Sequence, residues 1–237
     1  MVLAAALSVL TGETAPLPMD LFWSVLCGVV GGIGITALYH GLAVGRMGVV
    51  APVTGVIAAL IPVVAGIVLE GVPSTLTLVG IALAIVAVVL VSRVSDESSG
   101  PSGVPFALVA GVGIGLFSVF LAQISDGHAF GPLAVIRLVE VVVLGIVVIV
   151  TGAAWRTERR FLAAMGGVGV LDMSGNAAFI FAVQGGALAV AAVLSSLYPV
   201  ITVILAAVFL RERVTRMHAV GIALAVGAIA CIAAGTA

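Results

Sequence analysis

Lysine is absent from the 237 residues, and Asp, Glu and Arg together fill only 8% of positions. A soluble domain carries about 25% charged residues and needs them to cover its surface, so a compact water-exposed body is excluded. Nine arginines against ten carboxylates give a formal net charge of −1, which removes the electrostatic case for nucleic acid. Cysteine is scarce as well. Cys27 and Cys231 both lie in apolar segments, where they read as small packing hydrophobes rather than as a disulfide or metal site. No metal-ligand cluster, nucleophile constellation or phosphate-binding loop is found, and GVGIGL at 111–116 sits inside an apolar run. No enzyme activity, cofactor or metal is therefore expected.

What is present is hydrophobic residue, at 63% of the chain, with a mean hydropathy of +1.41. A helix needs roughly 20 apolar residues to cross a hydrocarbon core of about 30 Å. Segments 20–43, 48–69, 75–92, 104–125, 131–152, 161–183, 187–210 and 217–236 meet that length or come close. Their connections are short and polar, so the expected fold is an all-α polytopic membrane protein with eight full spans. Residues 1–11 are apolar but span only half a membrane, as a stub.

An internal repeat organises these spans. GIALA at Gly80–Ala84 recurs at Gly221–Ala225, an offset of 141 that also pairs Leu69 with Leu210, Gly45 with Gly186 and Leu21 with Leu162. The same offset lays the stub over the second half of the 131–152 helix. The partner of the 104–125 helix then falls before Met1, so roughly 40–50 further residues are expected in a complete first repeat. The second repeat has five helices; the first lacks one helix and half of another. An odd number of helices per repeat inverts one half relative to the other, as in many secondary transporters with a site near the midplane. The expected organisation is 1–92 as the first repeat, 93–103 as a polar linker and 104–237 as the second repeat.

Charges inside a span are costly and face a cavity or one another. Arg137 and Glu140 are three apart on the 131–152 helix, and Asp172 and Asn176 are four apart on the 161–183 helix. Each pair shares a helix face. One reading is a polar site that binds substrate or cycles a proton; the other is an Arg–carboxylate network that only ties helices together. Ser195, Tyr198, Pro199 and Thr202 line one side of the 187–210 helix, where Tyr198 contacts a ligand or marks a simple kink. Stripes at Gly28, Gly32, Thr36 and His40, and at Gly111, Gly115, Ser118 and Ala122, read mainly as close helix packing. Gln123 and Gln184, near helix ends, read as interface residues.

The stretch LSSLYPVITVILAAVFLRERVTRMHAVGIALAVGAIA, Leu194 to Ala230, with its Tyr-Pro, Arg-Glu-Arg turn and following Gly-initiated helix, resembles the end of a repeat in the EamA-type branch of the drug/metabolite transporter superfamily. ALYHGLAVGRMGVVAPVTGVIAALIPVVAGIVLEGVPS is similar to the matching stretch of the first half, and LDMSGN and AVIRL also look family-like. The resemblance implies two five-helix repeats and a secondary transporter that exports or exchanges a small organic metabolite by alternating access. Proton coupling would run through Asp172 or Glu140, and Arg137, Glu140, Asp172, Asn176 and Tyr198 are the candidate substrate or ion contacts. Expected partners are a small-molecule substrate and the lipid bilayer, and the expected location is a bacterial inner membrane. The alternative is a non-transporting truncated remnant or structural membrane subunit.

Orientation follows from arginine. Alternate loops carry Arg46; Arg93; Arg156, Arg159 and Arg160; and Arg211, Arg213 and Arg216, while the other loops and the C-terminal tail carry none. Arginine collects in short cytoplasmic loops, which puts the C-terminus outside. The superfamily is usually drawn with cytoplasmic termini, so here the charge count and the resemblance disagree.

Overall fold

The computed structural model describes residues 2–45, 47–92, 103–152, 158–186, 188–197, 201 and 216–236. Within them every regular element is helical: α1 (Val2–Leu10), α2 (Pro18–Val44), α3 (Met47–Glu70), α4 (Thr75–Ser92), α5 (Val104–Leu121), α6 (Phe130–Thr151), α7 (Leu162–Gln184), α8 (Leu188–Ser196) and α9 (Arg216–Thr236). A single 3-10 turn, Arg159–Phe161, leads into α7. Helices are the natural outcome for apolar runs of this length, because a lipid-embedded backbone must satisfy its hydrogen bonds within its own segment. Left-handed glycines end two of them: Gly71 (φ 96°) after α3, and Gly152 (φ 65°), which caps α6. A side chain at either position would be strained.

Five of these helices are long and apolar enough to cross a bilayer: Pro18–Val44, Val49–Glu70, Val104–Leu121, Phe130–Thr151 and Leu162–Gln184. Eight were expected. The apolar parts of α4 and α9 are shorter, at Thr75–Leu90 and Ala219–Ile232, and most of the expected 187–210 span lies outside the described residues. The 104–125 span also ends early, at Leu121. Its last residues form a turn whose Ser125 N–H donates to the Asp20 carboxylate at 2.9 Å instead of continuing a helix.

The chain divides into two compact units, Met1–Ile33 with Phe117–Gly185, and Gly34–Leu116 with Gly186–Ala237. Each therefore draws helices from both halves of the sequence. In the second unit α4 packs along α9 and α3 along α8. The core between them is built from Val63, Ile81, Val88, Val193, Ala228 and Ile232. Small residues allow the close approach: a methyl at Gly80 would lie 2.9 Å from the Ala228 carbonyl oxygen, and one at Gly66 2.8 Å from the Ala189 nitrogen. Both pairs run antiparallel. Ser74, before α4, donates its hydroxyl to the carbonyl of Gly235, at the end of α9 (3.0 Å). Glu70, the last residue of α3, accepts the Leu188 N–H that opens α8, on both carboxylate oxygens at 3.0 Å. An acidic group at a helix N-terminus meets free donors and the positive end of the helix dipole.

The expected packing stripe on α5 is seen in the same unit. Methyls at Gly111 and Gly115 would run into Ile57 and Ile61 of α3, and the buried Thr54 hydroxyl donates to the Ala107 carbonyl at 3.3 Å. Gly34 of α2 meets the backbone of Gly113 and Ile114, so the closely spaced glycines of GVGIGL serve helix crossing.

Candidate functional site

The first unit holds the intramembrane charges. Arg137 and Glu140 stand one turn apart on α6, and the Arg137 Nη1 donates to Glu140 Oε2 at 2.6 Å. The other terminal nitrogen of the same guanidinium, Nη2, donates to Asp172 Oδ2 on α7. One cation thus joins two carboxylates from two helices. Arginine suits this role because its planar fork offers donors in two directions and stays charged.

The two carboxylates are not equivalent. The Glu140 side chain is 15% exposed and the Asp172 side chain 54%. Glu140 lies against α2, where a methyl at Gly31 would fall 3.0 Å from its Oε1 and 2.8 Å from the Phe117 ring. The neighbouring Gly28 and Gly32 admit Val139 and Val143 of α6 in the same way. This glycine stripe therefore packs helices, and at Gly31 it also makes room for a charged side chain. Asp172 instead opens onto a cavity of about 280 Å³, lined by Leu3 of α1, Arg137 of α6 and Gly166, Gly169, Val170 and Met173 of α7. The glycines leave part of that wall without side chains.

The remaining candidates fall outside this cluster. Asn176, a turn beyond Asp172, is half-buried and does not join the Arg137 network. Tyr198, with Pro199 and Thr202, lies outside the described residues. His40 stacks edge-on against Phe106 at 4.6 Å, in the second unit. Among the described residues no group of three or more His, Cys, Asp or Glu is placed to hold a metal ion.

A second polar cluster, at the end of the first unit where α2 and α6 begin and α7 finishes, escaped the reading of the sequence. Glu13 accepts the N–H groups of Ala129, Phe130 and Gly131 at 2.9–3.1 Å and so caps α6. Asp20, fully buried, accepts from Ser125 at 2.9 Å and from Leu17 at 3.3 Å. Gln184 donates its amide to the carbonyls of Ser125 and His128 at 3.0 and 3.1 Å. His128 bonds Thr14 through Nε2 at 2.9 Å. One local signal existed for Asp20. It stands third in a helix that opens on proline, where an acidic side chain reaches back to the N-cap N–H.

The model of the EamA-like transporter family matches residues 101–234, more than half of the chain. The chain belongs to the EamA-like transporter family. That family consists of membrane transporters of small molecules rather than enzymes, and its match covers α5 to α9, including Arg137, Glu140 and Asp172. This EamA-like chain is thus an integral membrane protein, in keeping with the five long apolar helices among its described residues. No curated protein matches it. A solved structure described only as "Crystal structure of protein" is similar over 98% of this chain and 94% of its own, with a TM-score of 0.66 at 18% identity. That likeness shows the fold alone.

Proposed function

We propose that the chain is a secondary transporter that exports or exchanges a small organic metabolite by alternating access, with Arg137, Glu140 and Asp172 as the polar part of its binding site and Asn176 beside it. The observation that carries this reading is the Arg137 guanidinium, shared between a sheltered carboxylate on α6 and a half-exposed one on α7 at the edge of a cavity. A purely structural tie needs one pair. A second carboxylate left open to a cavity gives the guanidinium an alternative partner, so ligand and Asp172 compete for it. A proton on either carboxylate frees a guanidinium edge, which is how coupling would enter.

The inverted-repeat organisation belongs to the same proposal, with 1–92 and 104–237 as its halves. It is supported by the helix partnerships: α1 packs on α6, α3 on α8 and α4 on α9, and these are the helices that the offset of 141 equates. The bonds at Glu13, Glu70 and Ser74 join the end of one helix of each pair to the start of the other, the arrangement an inverted repeat requires. The same proposal sets the chain in the inner membrane of a bacterial cell, with the C-terminus outside in keeping with the arginine count.

The test is flux into proteoliposomes under an imposed pH gradient, with a panel of radiolabelled amino acids and organic amines. For any solute carried, Asp172→Asn and Arg137→Gln are expected to lower flux by at least about tenfold with insertion intact, since each removes a charge that the proposed site uses to hold and release its ligand. Asp172→Asn is also expected to abolish the pH dependence. Unchanged flux in that variant would remove Asp172 from the mechanism.

A further inference from the structure

The three helices that build the charged site, α2, α6 and α7, are fastened at one end by a single loop, residues 122–129. Asp20, in the first turn of α2, holds the loop through the Ser125 N–H. Gln184, the last residue of α7, holds it through the carbonyls of Ser125 and His128. Glu13 caps α6 at the point where the loop enters it, taking three N–H groups.

One group in the clasp is left unfinished. His128 Nε2 is bonded to Thr14 Oγ1 at 2.9 Å, but its Nδ1 is buried without a hydrogen-bond partner, 3.8 Å from Asp20 Oδ2. Asp20 is fully buried and already accepts on both oxygens. The other ionisable groups here are the Glu13 carboxylate on the segment before α2, committed to the α6 N-terminus, and the exposed Asp126 on the loop itself; α7 contributes only the neutral Gln184.

The geometry points to His128 and Asp20 as a proton-operated latch, in which a proton on His128 tightens the loop across the ends of α2, α6 and α7. When both ring nitrogens carry hydrogen, Nδ1–H faces the Asp20 carboxylate while Nε2–H still serves Thr14, and a shift of about 1 Å turns the contact into a charge-assisted bond. When the ring loses its charge, the charge-assisted attraction to Asp20 is lost and at most a neutral Nδ1–H contact remains. The latch is therefore tighter with a proton on His128 and looser without it, so it closes in acid and loosens in base. This rests on the transporter reading for its purpose, because a latch matters to a site that must open and close, but it can be tested without any substrate.

The experiment is hydrogen exchange by mass spectrometry on the full chain in nanodiscs, reading peptides that cover 122–131 at pH 5.5 and 8.0 and corrected for intrinsic rates. In the wild type, exchange is expected to be about tenfold faster at pH 8.0, the scale of one charge-assisted hydrogen bond. His128→Gln is expected to show one rate at both pH values. Gln184→Leu is expected to speed exchange at both while keeping the ratio, which separates the charge switch from general loosening. Asp20→Asn removes the charge and keeps one of the two acceptor oxygens, so its rates rise at both pH values; it is expected to flatten the ratio too, and it decides the matter if His128→Gln does not fold. A wild-type ratio near one, or an unchanged ratio in His128→Gln or Asp20→Asn, would overturn the proposal. Absence of flux for every solute of the panel would instead sink the transporter reading and leave the latch standing.

Discussion

Glu13 shows how much one carboxylate can do where helices end. Three successive N–H groups at the start of α6 have no intrahelical acceptors, and all three donate to it. Removing it leaves those donors short of partners in a part-buried place, beside the positive end of the helix dipole. Glu13→Ala is therefore expected to destabilise the folded chain by about 1–2 kcal/mol, seen as a lower unfolding midpoint in detergent. Glu158 is the useful contrast. It pairs with Arg160 at 2.8 Å, but the two side chains are 67% and 71% exposed, and exposed pairs contribute about 0–1 kcal/mol. Glu158→Ala is expected to leave the midpoint in place; equal losses in the two variants would refute the capping role of Glu13. The sequence offered no hint of it, because Glu13 lies 116–118 residues from the groups it serves. Arg137 and Glu140 were legible as a pair because their spacing of three fixes a shared face on any helix. Their link to Asp172 needed the packing of α6 against α7, which no local pattern encodes.

At the level of helices, existence was easier to read than extent. Apolar runs announce spans, but where a helix stops depends on which groups take over its hydrogen bonds. The 104–125 run stops at Leu121 because Asp20 and Gln184, both distant in sequence, claim the backbone of the following turn. Pairing was partly legible through the repeat, since GIALA falls on the contacting faces of both α4 and α9: Gly80 and Ala84 lie on one side of the contact, Ala225 on the other. The pairing can be trapped chemically. A Cβ at Gly80 would lie 3.1 Å from the Cβ of Cys231, a little under the 3.5–4.5 Å of a disulfide, so opening the helices by about half an ångström brings it into range. Gly80→Cys in a Cys27→Ser background is therefore expected to form an intramolecular disulfide with Cys231 under mild oxidation. Loss of both thiols to maleimide labelling, restored by reductant, is the readout. Two thiols labelled throughout would mean that α4 and α9 do not meet in this register.

For the whole molecule the deciding charges are the arginines, because acidic residues carry little orienting weight. The carboxylates divide evenly in any case: Glu13, Asp20, Glu70 and Asp126 go with the arginine-free connections, and Asp96, Glu97, Glu158 and Glu212 with the arginine-bearing ones. Eight of nine arginines fall in the latter, and the exception, Arg137, is engaged inside the membrane by Glu140 and Asp172. With that residue accounted for by the site, nothing in the charge pattern opposes a cytoplasmic location for the connections at 45–47, 93–103, 152–160 and 211–216. On the proposed orientation the C-terminal tail would lie outside, and so would the clasp formed by Glu13, Asp20, His128 and Gln184, which would make the latch responsive to external pH. Fusions to the C-terminus separate the possibilities: alkaline phosphatase is expected to be active there, and green fluorescent protein dark. The reverse result would put the tail and the clasp in the cytoplasm, and the local arginine bias would have been overruled by the helices that insert first.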